Sequence, residues 1–170
     1  MEITLEDLLE SRDRRAERQR LLLGQYPGKT LLCLTVIMPG KVKRNLHSLV
    51  VAGAALSAVA ARFGDEAAKV ETYDLPTGYE AYLIVSRSVE DAKREACNIE
   101  DTHPLGRLFD IDVIGPGGVP VTRQEIGEQP RKCLLCDNPA RYCMRNRTHS
   151  QEEILSCIER MVRQFAETNE

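Results

Sequence analysis

The feature that most constrains the fold is a nearly continuous apolar run over residues 30–38 (TLLCLTVIM), which Pro39 and Gly40 follow. A short run rich in aliphatic and β-branched side chains is typical of a buried strand. Because proline and glycine interrupt regular structure, the strand is expected to end at this pair. The run therefore predicts the central strand of a sheet, with neighbouring strands on either side.

The rest of the chain alternates between helical and strand-like patterns. Apolar or small residues at spacings of three and four predict helices over residues 4–25, 44–63, 89–97 and 151–167. Further strands are predicted over residues 69–75, 79–86, 107–114 and 119–124. Thr4, with Asp7 three residues later, has the pattern of a helix N-cap.

This order predicts one α+β domain spanning residues 1–170, with a mostly antiparallel mixed sheet covered by helices on one face. After the first helix the elements read β-α-β-β-α-β-β, which fits the split β-α-β layout. A chain of this length buries roughly 68–70% of its unfolded surface, enough for a single core.

Composition excludes several classes of function. Lys and Arg number 23 against 26 acids, so the net charge of −3 argues against a nucleic-acid-coating protein. Aromatic residues are 5% of the chain, too few for a base-stacking platform. The longest weakly polar run, residues 49–61, is shorter than the roughly 20 residues that span a bilayer. An acidic N-terminus without an apolar core excludes a secretory signal, and a cytoplasmic location is expected.

Two carboxylates mark the most informative segment, residues 103–113. Side chains alternate along a strand, so Asp110 and Asp112 are predicted to share one face. Such a pair can hold Mg²⁺, which binds carboxylates together with substrate phosphates and serves phosphoryl or nucleotidyl transfer. The alternative is an edge strand whose acids only face solvent.

Residues just before this pair fit the same chemistry. Gly106 allows a close backbone approach, and Arg107 can direct its planar guanidinium at phosphate oxygens. His103 could act as a general base for a hydroxyl nucleophile. A single histidine before proline is also a common loop residue, so both interpretations of His103 stay open.

A second cluster lies in a basic loop over residues 131–149. Three thiols and an imidazole have the spacing of a closed, structural Zn²⁺ site, and its candidate ligands are Cys133, Cys136, Cys143 and His149. The alternatives are reduced, unliganded cysteines and, with less support, a redox Cys-x-x-Cys pair. Basic residues give the loop a local charge that suits phosphates or an acidic protein, or a solvated surface.

The first predicted helix also carries basic residues. Residues 11–20 contain five arginines and two acids. Arg12, Arg15 and their neighbours could bind an anionic ligand from one helix face, and a solvated face is the alternative.

These motifs together resemble the citrate lyase holo-acyl-carrier-protein synthases, also called apo-citrate lyase phosphoribosyl-dephospho-CoA transferases. The resemblance rests on Ser11-Arg-Asp with Arg15 and Arg18-Gln19, on Pro39-Gly40, on residues 102–113 (THPLGRLFDIDV), and on residues 131–136 (RKCLLC) with Cys143 and Thr148-His149. The matching motifs span nearly the whole chain.

The resemblance implies transfer of 2'-(5''-triphosphoribosyl)-3'-dephospho-CoA to a serine of the citrate lyase acyl carrier subunit, with release of pyrophosphate. Asp110 and Asp112 would then hold Mg²⁺, Gly106 and Arg107 the triphosphate, and His103 would orient or deprotonate the serine. Arg123 would be a further phosphate contact. The sheet would be a split β-α-β layout or a nucleotidyltransferase-like palm, and neither nucleic acid nor membrane would be a partner. The alternative function is a non-enzymatic zinc-knuckle adaptor that docks a carrier or lyase subunit.

Overall fold

The computed structural model describes residues 1–168, which form five α-helices and four strands. The helices are α1 (Leu5–Gln25), α2 (Leu46–Phe63), α3 (Val89–Thr102), α4 (Ala140–Asn146) and α5 (Gln151–Thr168). The strands are β1 (Thr30–Val36), β2 (Ala67–Leu75), β3 (Gly78–Val85) and β4 (Phe109–Ile114). The α+β class is confirmed.

The four strands form one sheet in the order β2-β3-β1-β4, and every neighbouring pair is antiparallel. The apolar run thus becomes the interior strand β1, with β3 on one side and β4 on the other. Together with α2 and α3, these strands make the predicted split β-α-β arrangement. Opposite Thr35 the register places Glu80 and Asp110, and opposite Cys33 it places Tyr82 and Asp112.

Helices cover both faces of the sheet, whereas the sequence predicted them on one. Leu32 and Leu34 of β1 enter the main core with α2, α3 and α5. Leu31 and Cys33 point the other way and pack against Leu22 of α1. Since β1 is apolar on both faces, its second face also has to be covered, and α1 covers it.

Local signals explain where the first elements begin and end. Thr4 and Asp7 make reciprocal hydrogen bonds that cap α1, as the sequence predicted. The β2-β3 hairpin turns where Leu75 pairs with Gly78, and Gly78 takes a positive φ of 123°. Only glycine adopts such a φ readily, so the Pro76-Thr77-Gly78 signal correctly located this turn.

Two sequence-based assignments after β4 were wrong. Residues 119–124 form no strand: Pro120 makes one isolated bridge to Ile114, and a single 3₁₀ turn follows at Gln124–Ile126. Proline cannot donate a ladder hydrogen bond, which explains why pairing stops there. Within the predicted loop over residues 131–149, the structure has the short helix α4.

One stretch, Leu46–Glu66, is long and apolar enough to cross a membrane when judged by length and composition alone. It consists of α2 and the turn after it. Val51, Ala55, Val59 and Phe63 of this stretch are fully buried against the sheet and the other helices. A core helix passes the same test, so the finding is weak evidence for a membrane segment.

Candidate active site and metal site

The two carboxylates of β4 lie on the sheet face that α1 covers. Asp110, Asp112 and Ile114 alternate with the buried Phe109, Ile111 and Val113, and Ile114 packs in the α1 cluster. Thr35 of β1 donates a hydrogen bond of 3.4 Å from its Oγ1 to Oδ2 of Asp110. The pair therefore shares one face, as predicted, and its open side faces solvent.

Burial and the charges around Asp112 act on its pKa, some raising it and others lowering it. Partial burial raises the pKa of the Asp112 carboxyl, and the negative charge of Asp110 raises it further. Lys93 and Arg15 act on the Asp112 pKa in the opposite direction. A divalent cation between the two carboxylates would relieve their repulsion.

Polar residues of α1 contact a third carboxylate, Glu80 of β3, which the sequence analysis missed. Glu80 is 4% exposed. It accepts hydrogen bonds from Ser11 Oγ at 3.3 Å and from the Tyr82 hydroxyl at 2.7 Å. Arg15 Nε lies 3.9 Å from Glu80 Oε1. An acid inside an otherwise apolar strand was the available signal for this network.

The arginines of α1 do not form one common face. Arg18 donates through Nε and Nη2 to both carboxylate oxygens of Glu71 on β2. Arg15 lies beside Glu80, while Arg12 is exposed to solvent. Gln19 shares a hydrogen bond with Cys33, the residue opposite Asp112. At 100° per residue, Arg12 lies on the same side of the helix as Gln19.

The outer edge of β4 carries no further strand in the described part of the chain. The Val121 N–H satisfies the Val113 carbonyl near the end of β4, and side chains satisfy the backbone nearer its start. Glu100 Oε1 accepts the Ile111 N–H at 2.9 Å, and Lys93 Nζ lies 3.4 Å from the Ile111 carbonyl. Arg131 donates to the Phe109 carbonyl at 2.6 Å and lies 3.4 Å from Asp110 Oδ1. Lys93 and Glu100 are both buried. The edge thus places cations beside the carboxylate pair.

Three residues that were predicted to bind phosphate contact other parts of the protein in the structure: Gly106, Arg107 and Arg123. A Cβ on Gly106 would lie 2.4 Å from the Glu100 carbonyl oxygen, so glycine is required there for packing against α3. Arg107 donates to the carbonyls of Lys132 and Cys133. Arg123 pairs with Asp101 and with Glu100. Their roles in binding phosphate stay predictions.

His103 caps the C-terminus of α3 and packs away from the carboxylates. Its Nδ1 accepts the Leu105 N–H at 3.0 Å, and its ring lies 4.8 Å from the Phe109 ring and 5.5 Å from the Phe165 ring. Burial lowers the pKa of His103, which favours the neutral ring with its proton on Nε2. The contacts favour a packing role, and proton transfer by His103 stays a prediction.

This geometry gives a direct test of His103. We expect His103→Asn to keep activity within about threefold, because the asparagine carbonyl can replace Nδ1 as the acceptor of the Leu105 N–H. General bases contribute about 100-fold or more, so a loss of that size in initial rates would instead establish His103 as the base.

The four predicted metal ligands come together in the structure. One ligand atom from each of Cys133, Cys136, Cys143 and His149 lies within 4.8 Å of all the others. Cys136 Sγ is 3.5 Å from Cys143 Sγ and 3.4 Å from His149 Nε2. Burial raises the pKa of the Cys133 thiol, but hydrogen bonds from the Leu135 and Cys136 N–H groups and with the thiols of Cys143 and Cys136 together outweigh burial and lower the pKa to about 7. This cluster can hold a metal ion.

A cleft of about 420 Å³ lies elsewhere on the surface, where the loop at Pro39–Val42 meets the start of α5. Its lining includes Asn45 and Gln151 and contains none of the predicted site residues. The carboxylate pair instead lies on the surface between α1 and the outer edge of β4, where Asp112 is exposed and Asp110 is half-buried.

Comparisons with known proteins agree with the motifs. The family model described as apo-citrate lyase phosphoribosyl-dephospho-CoA transferase matches residues 3–165. A probable apo-citrate lyase phosphoribosyl-dephospho-CoA transferase of Streptococcus pyogenes serotype M18 is 35% identical over 167 residues, covering 96% of this chain and 87% of the relative. The Escherichia coli O9:H4 enzyme of that name is 34% identical over 165 residues, covering 94% and 88%. The chain belongs to the apo-citrate lyase phosphoribosyl-dephospho-CoA transferase family.

Proposed function

We propose that this protein transfers the 2'-(5''-triphosphoribosyl)-3'-dephospho-CoA group to a serine of the apo acyl carrier subunit of citrate lyase. Membership of the family supports the substrate and the acceptor. The observation that carries the chemistry is the pair Asp110 and Asp112 on an open sheet face, with cationic side chains on two sides. We place the reaction in the cytoplasm, where cysteines stay reduced.

The reaction that fits this site is a nucleotidyl-type transfer. The serine hydroxyl attacks the phosphorus attached to the phosphoribosyl 5'' oxygen, and a phosphodiester bond forms. The bond from that phosphorus to pyrophosphate breaks, pyrophosphate leaves, and the hydroxyl proton passes to a base. Arg15 and Arg12 would attract the triphosphate from the α1 side.

Mg²⁺ suits the carboxylate pair. Mg²⁺ prefers one or two carboxylates and completes its coordination with water and substrate phosphates, which an open pair permits. Asp110 and Asp112 would hold it, and when bound it would neutralise charge on the reacting phosphate. Thr35 and Arg131 would orient Asp110 for this purpose.

We further propose that the Cys/His cluster holds one structural Zn²⁺. Three sulfur ligands and one imidazole fill a tetrahedral site and leave no open position for chemistry. The backbone N–H that points at Cys133 Sγ suits a thiolate ligand. The ion would then fix the loop before α5.

The zinc proposal predicts one Zn²⁺ per chain by elemental analysis of protein purified without chelator. We expect Cys136→Ser to lose most of this zinc and to lower the melting temperature, since binding of a structural ion contributes to folding free energy. Cys157→Ser, outside the cluster on α5, is the matched control and should retain the ion. Protein without zinc, or unchanged stability of Cys136→Ser, would contradict the proposal.

The proposed function is tested by mixing the purified protein with apo carrier subunit, Mg²⁺ and the triphosphoribosyl precursor. We expect stoichiometric pyrophosphate release and a carrier whose mass increases by the transferred group. Binding of the carrier with no pyrophosphate release would instead support the adaptor alternative, which requires the Cys/His loop but not Asp110 or Asp112.

A further inference from the structure

Two arginines join the start of β4 to the Cys/His loop in a reciprocal way. Arg107, in the turn before β4, donates to the carbonyls of Lys132 and Cys133. Arg131, in the loop, donates to the carbonyl of Arg107 at 3.1 Å and to that of Phe109 at 2.6 Å. Each arginine thus donates to backbone carbonyls at or near the position of the other arginine. We call this pair of contacts the arginine clasp.

The clasp connects the two candidate sites over a short distance. One end reaches Cys133, which is buried and belongs to the metal cluster. At the other end, Arg131 Nη1 lies 3.4 Å from Asp110 Oδ1 and 3.7 Å from Glu100 Oε1. The Arg131 side chain is 22% exposed, so its contacts are partly shielded from water.

We propose that Arg107 and Arg131 are positioning residues for the transfer reaction, and that the clasp makes the geometry of Asp110 depend on the metal-bound Cys/His loop. This inference rests on the proposed function, and it assigns Arg107 a task other than binding phosphate. Neither arginine has to touch the substrate.

The physical reason is the exposed backbone of β4. Only β1 pairs with β4 among the described strands. Near the end of β4 the Val113 carbonyl accepts the Val121 N–H at 2.8 Å, but nearer its start the outer Phe109 carbonyl and Ile111 N–H depend on side chains for hydrogen bonds. Without Arg131, the Phe109 carbonyl and Asp110 Oδ1 both lose a donor. A displacement of about 1 Å at a reacting centre can cost roughly 100-fold in rate, so a looser strand end would affect turnover.

The first test measures steady-state kinetics of Arg131→Met and Arg107→Met. We expect kcat to fall at least tenfold in each variant, while KM for the triphosphoribosyl precursor changes less than about twofold. Arg145→Met removes an exposed arginine of α4 from the same basic loop and is the matched control. A loss confined to KM would make these arginines substrate contacts and overturn the proposal, as would unchanged kcat.

The second test measures hydrogen exchange across residues 107–112 by mass spectrometry. We expect exchange to accelerate at least tenfold in Arg131→Met, and in the parent protein after chelator treatment, with added Zn²⁺ restoring slow exchange. In the double variant Arg107→Met/Arg131→Met, chelation should change nothing further, because the connection is already broken. An exchange rate that neither the substitutions nor the chelator changes would overturn the proposal.

The two tests separate the clasp from the reaction it serves. A parent protein that releases no pyrophosphate would refute the proposed function, whereas the exchange measurement would still report on the clasp. Normal pyrophosphate release by the parent and by both single variants would refute the clasp alone.

Discussion

Replacing Asp110 or Asp112 by asparagine is expected to reduce pyrophosphate release at least 100-fold at saturating Mg²⁺, with the fold intact. Asparagine keeps the size of the side chain but removes the anionic ligand. Charge stabilisation by a metal contributes several kcal/mol to such reactions, and about 2.7 kcal/mol corresponds to a factor of 100. Initial rates with purified apo carrier measure the effect.

Stability provides the control for this prediction. Folding raises the pKa of Asp112, so the ionised carboxylate lowers the free energy of unfolding at neutral pH. Asp112→Asn removes that unfavourable charge, so its melting temperature should not fall. The matched control is Asp65→Asn, which makes the same change of charge in the exposed turn after α2. Turnover near the parent rate in both site variants would refute the carboxylate assignment.

Glu100→Ala is expected to cost about 3–5 kcal/mol of unfolding free energy, a large fraction of the stability of a domain this size. Glu100 is 3% exposed, accepts the Ile111 N–H, and pairs with Arg123 at 2.7 Å. Removing Glu100 leaves the Ile111 N–H without its acceptor and leaves Asp101 as the remaining carboxylate partner of the partly buried Arg123 guanidinium. Urea unfolding, with the midpoint and slope fitted together, measures the loss.

The matched control is Glu159→Ala, which removes an exposed acid from the Glu159–Arg163 pair on α5. Exposed pairs of this kind contribute about 0.3–0.5 kcal/mol, so this variant should unfold almost as the parent does. A loss below 1 kcal/mol in Glu100→Ala would mean that the ion network at the β4 edge contributes little to stability.

Local patterns in the sequence predicted most elements of this fold because they depend on neighbouring residues. The Thr4 cap, the apolar run of β1 and the turn before Gly78 each carry their own signal. The shared face of Asp110 and Asp112 follows from alternation alone. The Cys/His cluster was predictable because a closed metal site needs few ligands at short spacings.

The sequence could not reveal partners that are distant along the chain. Glu80 meets Ser11 across 69 positions, and Arg131 meets Asp110 across 21. Such pairings depend on strand register and helix placement, which no short window encodes. No local pattern indicated that Lys93 and Glu100 are buried, yet both lie at the β4 edge, where they contact the backbone of Ile111.

The position of β1 between β3 and β4 determines when the site can assemble during synthesis. The interior strand leaves the ribosome early, but one of its partners lies 75 residues later, at the Thr35–Asp110 contact. Loop-closure entropy must be lost before such a distant pairing forms, so folding is expected to be slow and cooperative. A growing chain that ends before β4 would expose one edge of β1 to other nascent chains. The carboxylate pair therefore becomes competent only as the last strand joins the sheet.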